Sequence, residues 1–203
     1  MTTLLRDVFS FGTLQILNEG KSQGPLRVRG LFQEAEKKNG NGRVYDKKLL
    51  SREVDKLQEV IKQRRLVGEL DHPSDEIVHL ANASHVITGL HMDGNQVIGE
   101  AELLNTPSGK VLQELVKAGV MIGTSSRATG SLDHDVQENC YRVCDNLRMI
   151  TWDMVSDPSC EGAHPTLQEG LVSEARNPIV EELDHLKAER VYITALRKHL
   201  NKK

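Results

Sequence analysis

The 203-residue chain carries 26 basic and 29 acidic residues, a formal net charge of -3 and 3% aromatic residues. That length suits one main domain, with room for a detachable tail, and the balance of charge argues against a dedicated nucleic-acid binder, which needs a basic face. The apolar runs fall far short of the roughly 20 residues that cross a bilayer, and the opening "MTTLLRDVFSFG" has no signal-peptide core, so a soluble, intracellular protein without membrane contact is expected.

Along the chain, "LRVRGLFQEA" (26 to 35) alternates as a strand does, and "KKNGNGRVYD" supplies turn chemistry. The spacing of Leu49, Leu50, Val54, Leu57, Val60 and Ile61 predicts an amphipathic helix with a basic end. "LVGEL" then reads as a short strand and "DHPSDEIVHLAN" as a loop. "SHVITGLHM" and "QVIGEAELL" form a hairpin across Asp93, Gly94 and Asn95. Pro107 and Ser108 start a second helix that Gly119 stops. "NCYRVCDNLRMITWDMVSDPSC" gives one or two more strands, "GAHPTLQEGLVSEARNP" a linker, and the stretch from Pro178 a charged terminal helix. Mixed strands with a few helices indicate an α+β domain. Cys140, Cys144 and Cys160 are odd in number and lack CxxC spacing, which favours reduced thiols over a disulfide framework or a thiolate zinc site.

The stretch "MIGTSSRATG" (121 to 130) raises the question of a serine nucleophile. As a strand it places Val120, Ile122, Thr124, Ser126 and Ala128 on a core face, and Met121, Gly123, Ser125 and Arg127 on the other, more open one. Ser125 is therefore the candidate, with Arg127 beside it and Gly123 leaving room for a substrate backbone. A serine hydroxyl needs a base. His72 is best placed, at a strand end before Pro73, whereas its neighbour Asp71 points the opposite way in extended chain. Asp153, a carboxylate between Trp152 and Met154, is the candidate for holding His72, since an unpaired buried charge is costly. A metal-dependent hydrolase built on His79, His85 and His91 is the alternative, although Asn, Gly and turn signals interrupt that series.

Five motifs in order, "NGNGRVYDKKLL", "GELDHP", "ITGLHMDGNQVIGEAELL", "LVKAGVMIGTSSRATGS" and "ITWDMVSDPS", resemble the prohead (capsid maturation) serine proteases of T4-type tailed phages, relatives of the herpesvirus assemblins. Asp46 stands where that family usually has Pro. The resemblance implies a bent antiparallel β-barrel with surrounding helices. It implies His72 as general base, Ser125 as nucleophile and Asp153 where the assemblins have a second histidine, with Arg127 and nearby backbone amides as possible oxyanion contacts. No cofactor is implied. It further implies action inside the prohead, in the host cytoplasm, on scaffold or core proteins and the major capsid protein, and leaves a homo-oligomer open. A capsid scaffold or assembly protein keeping the fold without activity is the rival reading, because a fold does not guarantee its chemistry.

Enzymes of this type are similar in cutting after glutamate, with Leu or Ile two residues earlier and a small residue after. "LNEG" (17 to 20) and "LQEG" (167 to 170) fit, while "IGEA" (98 to 101) lies in a predicted strand. Glu19 and Glu169 are the candidate self-cleavage sites, since proteases need exposed, locally unfoldable segments. The expected organisation is a removable segment 1–25, a protease domain 26–160, and a linker with charged helix 161–203 that a second cut would remove.

Overall fold

The computed structural model describes residues 2–10, 14–17 and 25–156. Glu19, Cys160, Glu169, the linker and the expected terminal helix lie outside the described residues. What is described is mostly β with two α-helices.

The strands are β1 (Thr3–Ser10), β2 (Gln15–Ile16), β3 (Arg27–Glu34), β4 (Arg43–Val44), β5 (Val67–Glu69), β6 (Ala83–Asp93), β7 (Gln96–Leu103), β8 (Gly123–Gly130), β9 (Leu132–Asp135), β10 (Cys140–Val143) and β11 (Arg148–Val155). They form a five-stranded sheet in the order β2-β3-β7-β6-β5 and two three-stranded sheets, β1-β8-β11 and β4-β10-β9. The predicted hairpin is β6-β7, with Asp93 opposite Gln96 and Gly94 at φ 59°, the left-handed region where a missing Cβ removes the steric penalty. Helix α1 (Lys47–Lys62) follows the predicted stripe, and α2 (Pro107–Lys117) has Pro at its start, as its fixed φ favours. Asp46, where the family usually has Pro, is the N-cap of α1. Its carboxylate accepts from the Lys48 and Leu49 amides, which have no partner inside the helix.

The bent barrel expected from the resemblance is corrected by the strand pairing. An isolated parallel bridge between Leu70 and Met154 joins the β5 edge of the large sheet to the β11 edge of the β1-β8-β11 sheet. Among the described residues no ladder joins β1 to the opposite edge, so the wall curves without closing. The core fills the space between these layers. Trp152 is fully buried, tilted against Phe32 at 6.2 Å between ring centroids, and donates its indole N–H to Gln33.

Residues 3–10, expected to belong to a removable segment, form β1 and pair along the length of β8. Both faces of β8 are covered as well, and the expectation of a more open face at Ser125 and Arg127 does not hold, since both are fully buried. Thr124 reaches the carbonyls of Leu31 and Phe32 on one side, while Arg127 reaches the carbonyl of Ile77 on the other, because the loop after β5 folds back over the sheet.

Candidate active site

Ser125 sits in β8 directly opposite Asp153 in β11, so their side chains leave the same face of the sheet. β5 then delivers the third group. Beyond Glu69 the chain bridges to Met154, the Asp71 amide donates to the Met154 carbonyl at 2.8 Å, and Asp71 adopts φ 63°. Aspartate tolerates that left-handed conformation better than most residues, and the turn it permits brings His72 over the sheet. Arg6 of β1 secures the next residue, its guanidinium donating to the Pro73 carbonyl at 3.1 Å.

His72 bridges the two strands. Its Nδ1 lies 2.9 Å from Asp153 Oδ2, and its Nε2 is hydrogen-bonded to the Ser125 hydroxyl. With Asp153 as an acceptor, Nδ1–H donates and Nε2 is left to accept from Ser125, which is the tautomer a general base needs. Ser125 and Asp153 are fully buried, whereas the His72 side chain is 15% exposed and forms the opening of the group to solvent. All three predicted residues are thus brought together in the predicted order.

Ser126 takes the other face. Its hydroxyl reaches the Asp7 carbonyl at 3.4 Å, consistent with a packing role. Behind it, Asp7 is buried and accepts from Asn41 at 2.6 Å, from Arg43 at 2.8 Å and from the Tyr45 hydroxyl. Burial, reinforced by Asp7, holds the Tyr45 phenol well above its ordinary pKa, so it stays a donor. The "NGNGRVYD" motif therefore anchors β1, which pairs with the strand that bears the serine.

Arg127 is buried, not an open cation. Its guanidinium donates to Asp153 Oδ1 at 3.0 Å, to Glu69 Oε1 at 3.0 Å and to the Ile77 carbonyl at 2.7 Å. Those contacts aim it at carboxylates instead of at an oxyanion position. Gly123 opens β8 two residues before Ser125, buried opposite Val155. Glu69 escaped the sequence reading. The signal was present, since a glutamate inside "LVGEL" raises the same need for a buried partner that singled out Asp153.

The histidine series divides. His85 is buried in β6, its ring between the Ser84 hydroxyl and the Trp152 carbonyl, and burial pushes its pKa down to about 4. His79 lies in the loop after β5, its amide bonded to Glu69, and His91 is exposed near the hairpin end. Among the described residues no group of three or more His, Cys, Asp or Glu side chains could hold a metal ion, and no helix is long and apolar enough to cross a membrane.

A serine hydroxyl, an imidazole and a buried carboxylate in series form the arrangement that defines the Ser-His-Asp hydrolases. Comparison with known proteins gives the family. Residues 15–175 match the family model described as prohead core protein serine protease, and the chain belongs to that family. It is 33% identical over 160 residues to the prohead core protein protease of Enterobacteria phage T4, covering 75% of this chain and 74% of that protein. The structure of the bacteriophage T4 capsid assembly protease, gp21, superposes with a TM-score of 0.70 at 28% identity, over 77% of this chain and 99% of that one.

Proposed function

We propose that this chain is a serine endopeptidase of capsid maturation, with Ser125 as nucleophile, His72 as general base and Asp153 as the carboxylate that orients it. His72 Nε2 takes the hydroxyl proton as Ser125 Oγ attacks the scissile carbonyl, and returns it to the leaving amine. Water then repeats the sequence on the acyl-enzyme. The observation that carries this reading is the placement of His72 between Ser125 and Asp153. Backbone amides near Ser125 stabilise the oxyanion.

The substrates are the scaffold or core proteins and the major capsid protein, cut inside the prohead after Glu in Leu/Ile-x-Glu before a small residue. The enzyme also cuts itself at Glu19 and Glu169. Because β1 pairs with β8 and Asp7 is held by three side chains, the piece released by the first cut stays associated. Against the rival of an inactive assembly protein stands the retention of all three groups in bonded order.

Intact mass after incubation tests the reading. Wild type and Ser126→Ala lose mass at Glu19 or Glu169 and cleave a scaffold peptide carrying Leu-x-Glu-Gly, in chelator as well as without it. Ser125→Ala stays whole. An uncut peptide with wild type would favour the inactive assembly protein.

A further inference from the structure

Asp153 is held on both sides. Oδ2 faces His72, while Oδ1 accepts from the Glu69 amide at 3.0 Å and from Arg127 at 3.0 Å. The same Arg127 nitrogen lies 3.0 Å from Glu69 Oε1. All three side chains are at most 1% exposed. One guanidinium between two buried carboxylates leaves one negative charge out of water, an expensive arrangement for a purely structural pair. A structural role for Arg127 would be met by Asp153 alone.

Resting on the triad reading above, we propose that Glu69 is a positioning residue that acts through Arg127 on Asp153. Arg127 and the Glu69 amide fix the Asp153 carboxylate so that Oδ2 meets Nδ1 of His72. The Glu69 carboxylate offsets the Arg127 charge, so a net negative charge remains to stabilise the imidazolium formed as Ser125 attacks. The other charged or titratable neighbours do not supply it. His85 behind the Trp152 carbonyl is neutral above about pH 4, Asp71 is exposed, and Arg6 is bonded to the Pro73 carbonyl. His79 lies beyond Glu69, its ring 3.7 Å from that carboxylate and 3.5 Å from Asp75.

Glu69→Gln in the full chain tests this, because the amide keeps the shape and an acceptor for Arg127 while removing the charge. The readouts are kcat per active site, KM on a Leu-x-Glu-Gly peptide, and the downfield proton resonance of the His72 Nδ1–H. The expected result is kcat lower by about tenfold or more with KM within about twofold, and an upfield move of the resonance. Glu69→Asp, which keeps the charge, recovers part of both. Should Glu69→Gln not fold, Arg127→Lys, which keeps the charge but has one nitrogen and a shorter reach in place of the two guanidinium nitrogens that hold the Ile77 carbonyl and the two carboxylates, is expected to show the same loss. An unchanged kcat per active site, an unmoved resonance, or equal loss in Glu69→Asp and Glu69→Gln would overturn the inference. Turnover surviving in Ser125→Ala would overturn the triad reading and take this inference with it, whereas a dead Ser125→Ala beside an unaffected Glu69→Gln overturns this inference alone.

Discussion

Ser125 and Asp153 face each other across one rung of the β8-β11 ladder, and His72, delivered from β5, closes the gap between them. Two of the three groups are thus fixed by sheet register, so loop motion cannot separate them. The account predicts that Ser125→Ala and His72→Ala each reduce kcat on the order of a thousandfold or more and that the double variant loses little beyond either, since the groups act as a unit. Asp153→Ala costs less, and Ser126→Ala, on the other face, far less. Steady-state kinetics on a peptide substrate check this, and equal losses from the two serine changes would contradict the face assignment.

The turn at Asp71 makes a separate prediction. Its φ of 63° suits Asp or Asn but crowds a β-branched side chain, and its carboxylate is exposed. Asp71→Asn is expected to leave kcat unchanged. Asp71→Val is expected to cost about 1–2 kcal/mol of stability, read by denaturant titration, and to lower kcat by moving His72.

A methyl group at Gly68 would meet the His85 ring and the Trp152 carbonyl, both at 2.3 Å. The carbonyl is backbone and cannot rotate away, so β5 must shift, and Gly68→Ala is expected to lose about 2–3 kcal/mol. Because β5 carries Glu69 and leads to His72, the folded fraction is also expected to turn over more slowly. Thermal unfolding and kinetics on the same preparation separate the two effects.

The core element order was legible in the sequence because hydrophobic period and turn residues agree there, as in the α1 stripe and the Gly94 turn. Of the candidate site, Asp153 was legible because a buried charge needs a partner, His72 because it stands at a strand end before Pro73, and Ser125 because strand alternation sets it on the face opposite Ser126. β1 was not, since Leu5 and Asp7 share its buried face and a carboxylate in that position reads as surface. Only the tertiary partners Asn41, Arg43 and Tyr45 make burial of Asp7 affordable. The exposure of Ser125 and Arg127 was misread for the same reason, because the loop that covers them is drawn back by the Ile77 carbonyl and the Leu70–Met154 bridge.

His85 gives the protein an acid-sensitive element. An ordinary imidazole takes up a proton near pH 6.5, whereas burial holds this one to about 4. Between those values the unfolded chain binds a proton that the folded chain does not. Stability from this group is therefore full above about pH 6.5, falls as pH drops toward 4 and levels off below, by about 3 kcal/mol at most. Denaturant unfolding at stepped pH checks the slope, and His85→Gln, which keeps a donor for the Trp152 carbonyl, is expected to flatten it by one proton.

The most direct test of the central claim is to treat the full chain with a fluorophosphonate, which phosphonylates an activated serine hydroxyl, and to map the adduct by peptide mass spectrometry. The account predicts one adduct, on Ser125, with loss of peptidase activity in proportion to labelling, and no labelling in His72→Ala. An adduct on Ser126 or elsewhere, or full activity in protein labelled at Ser125, would contradict it.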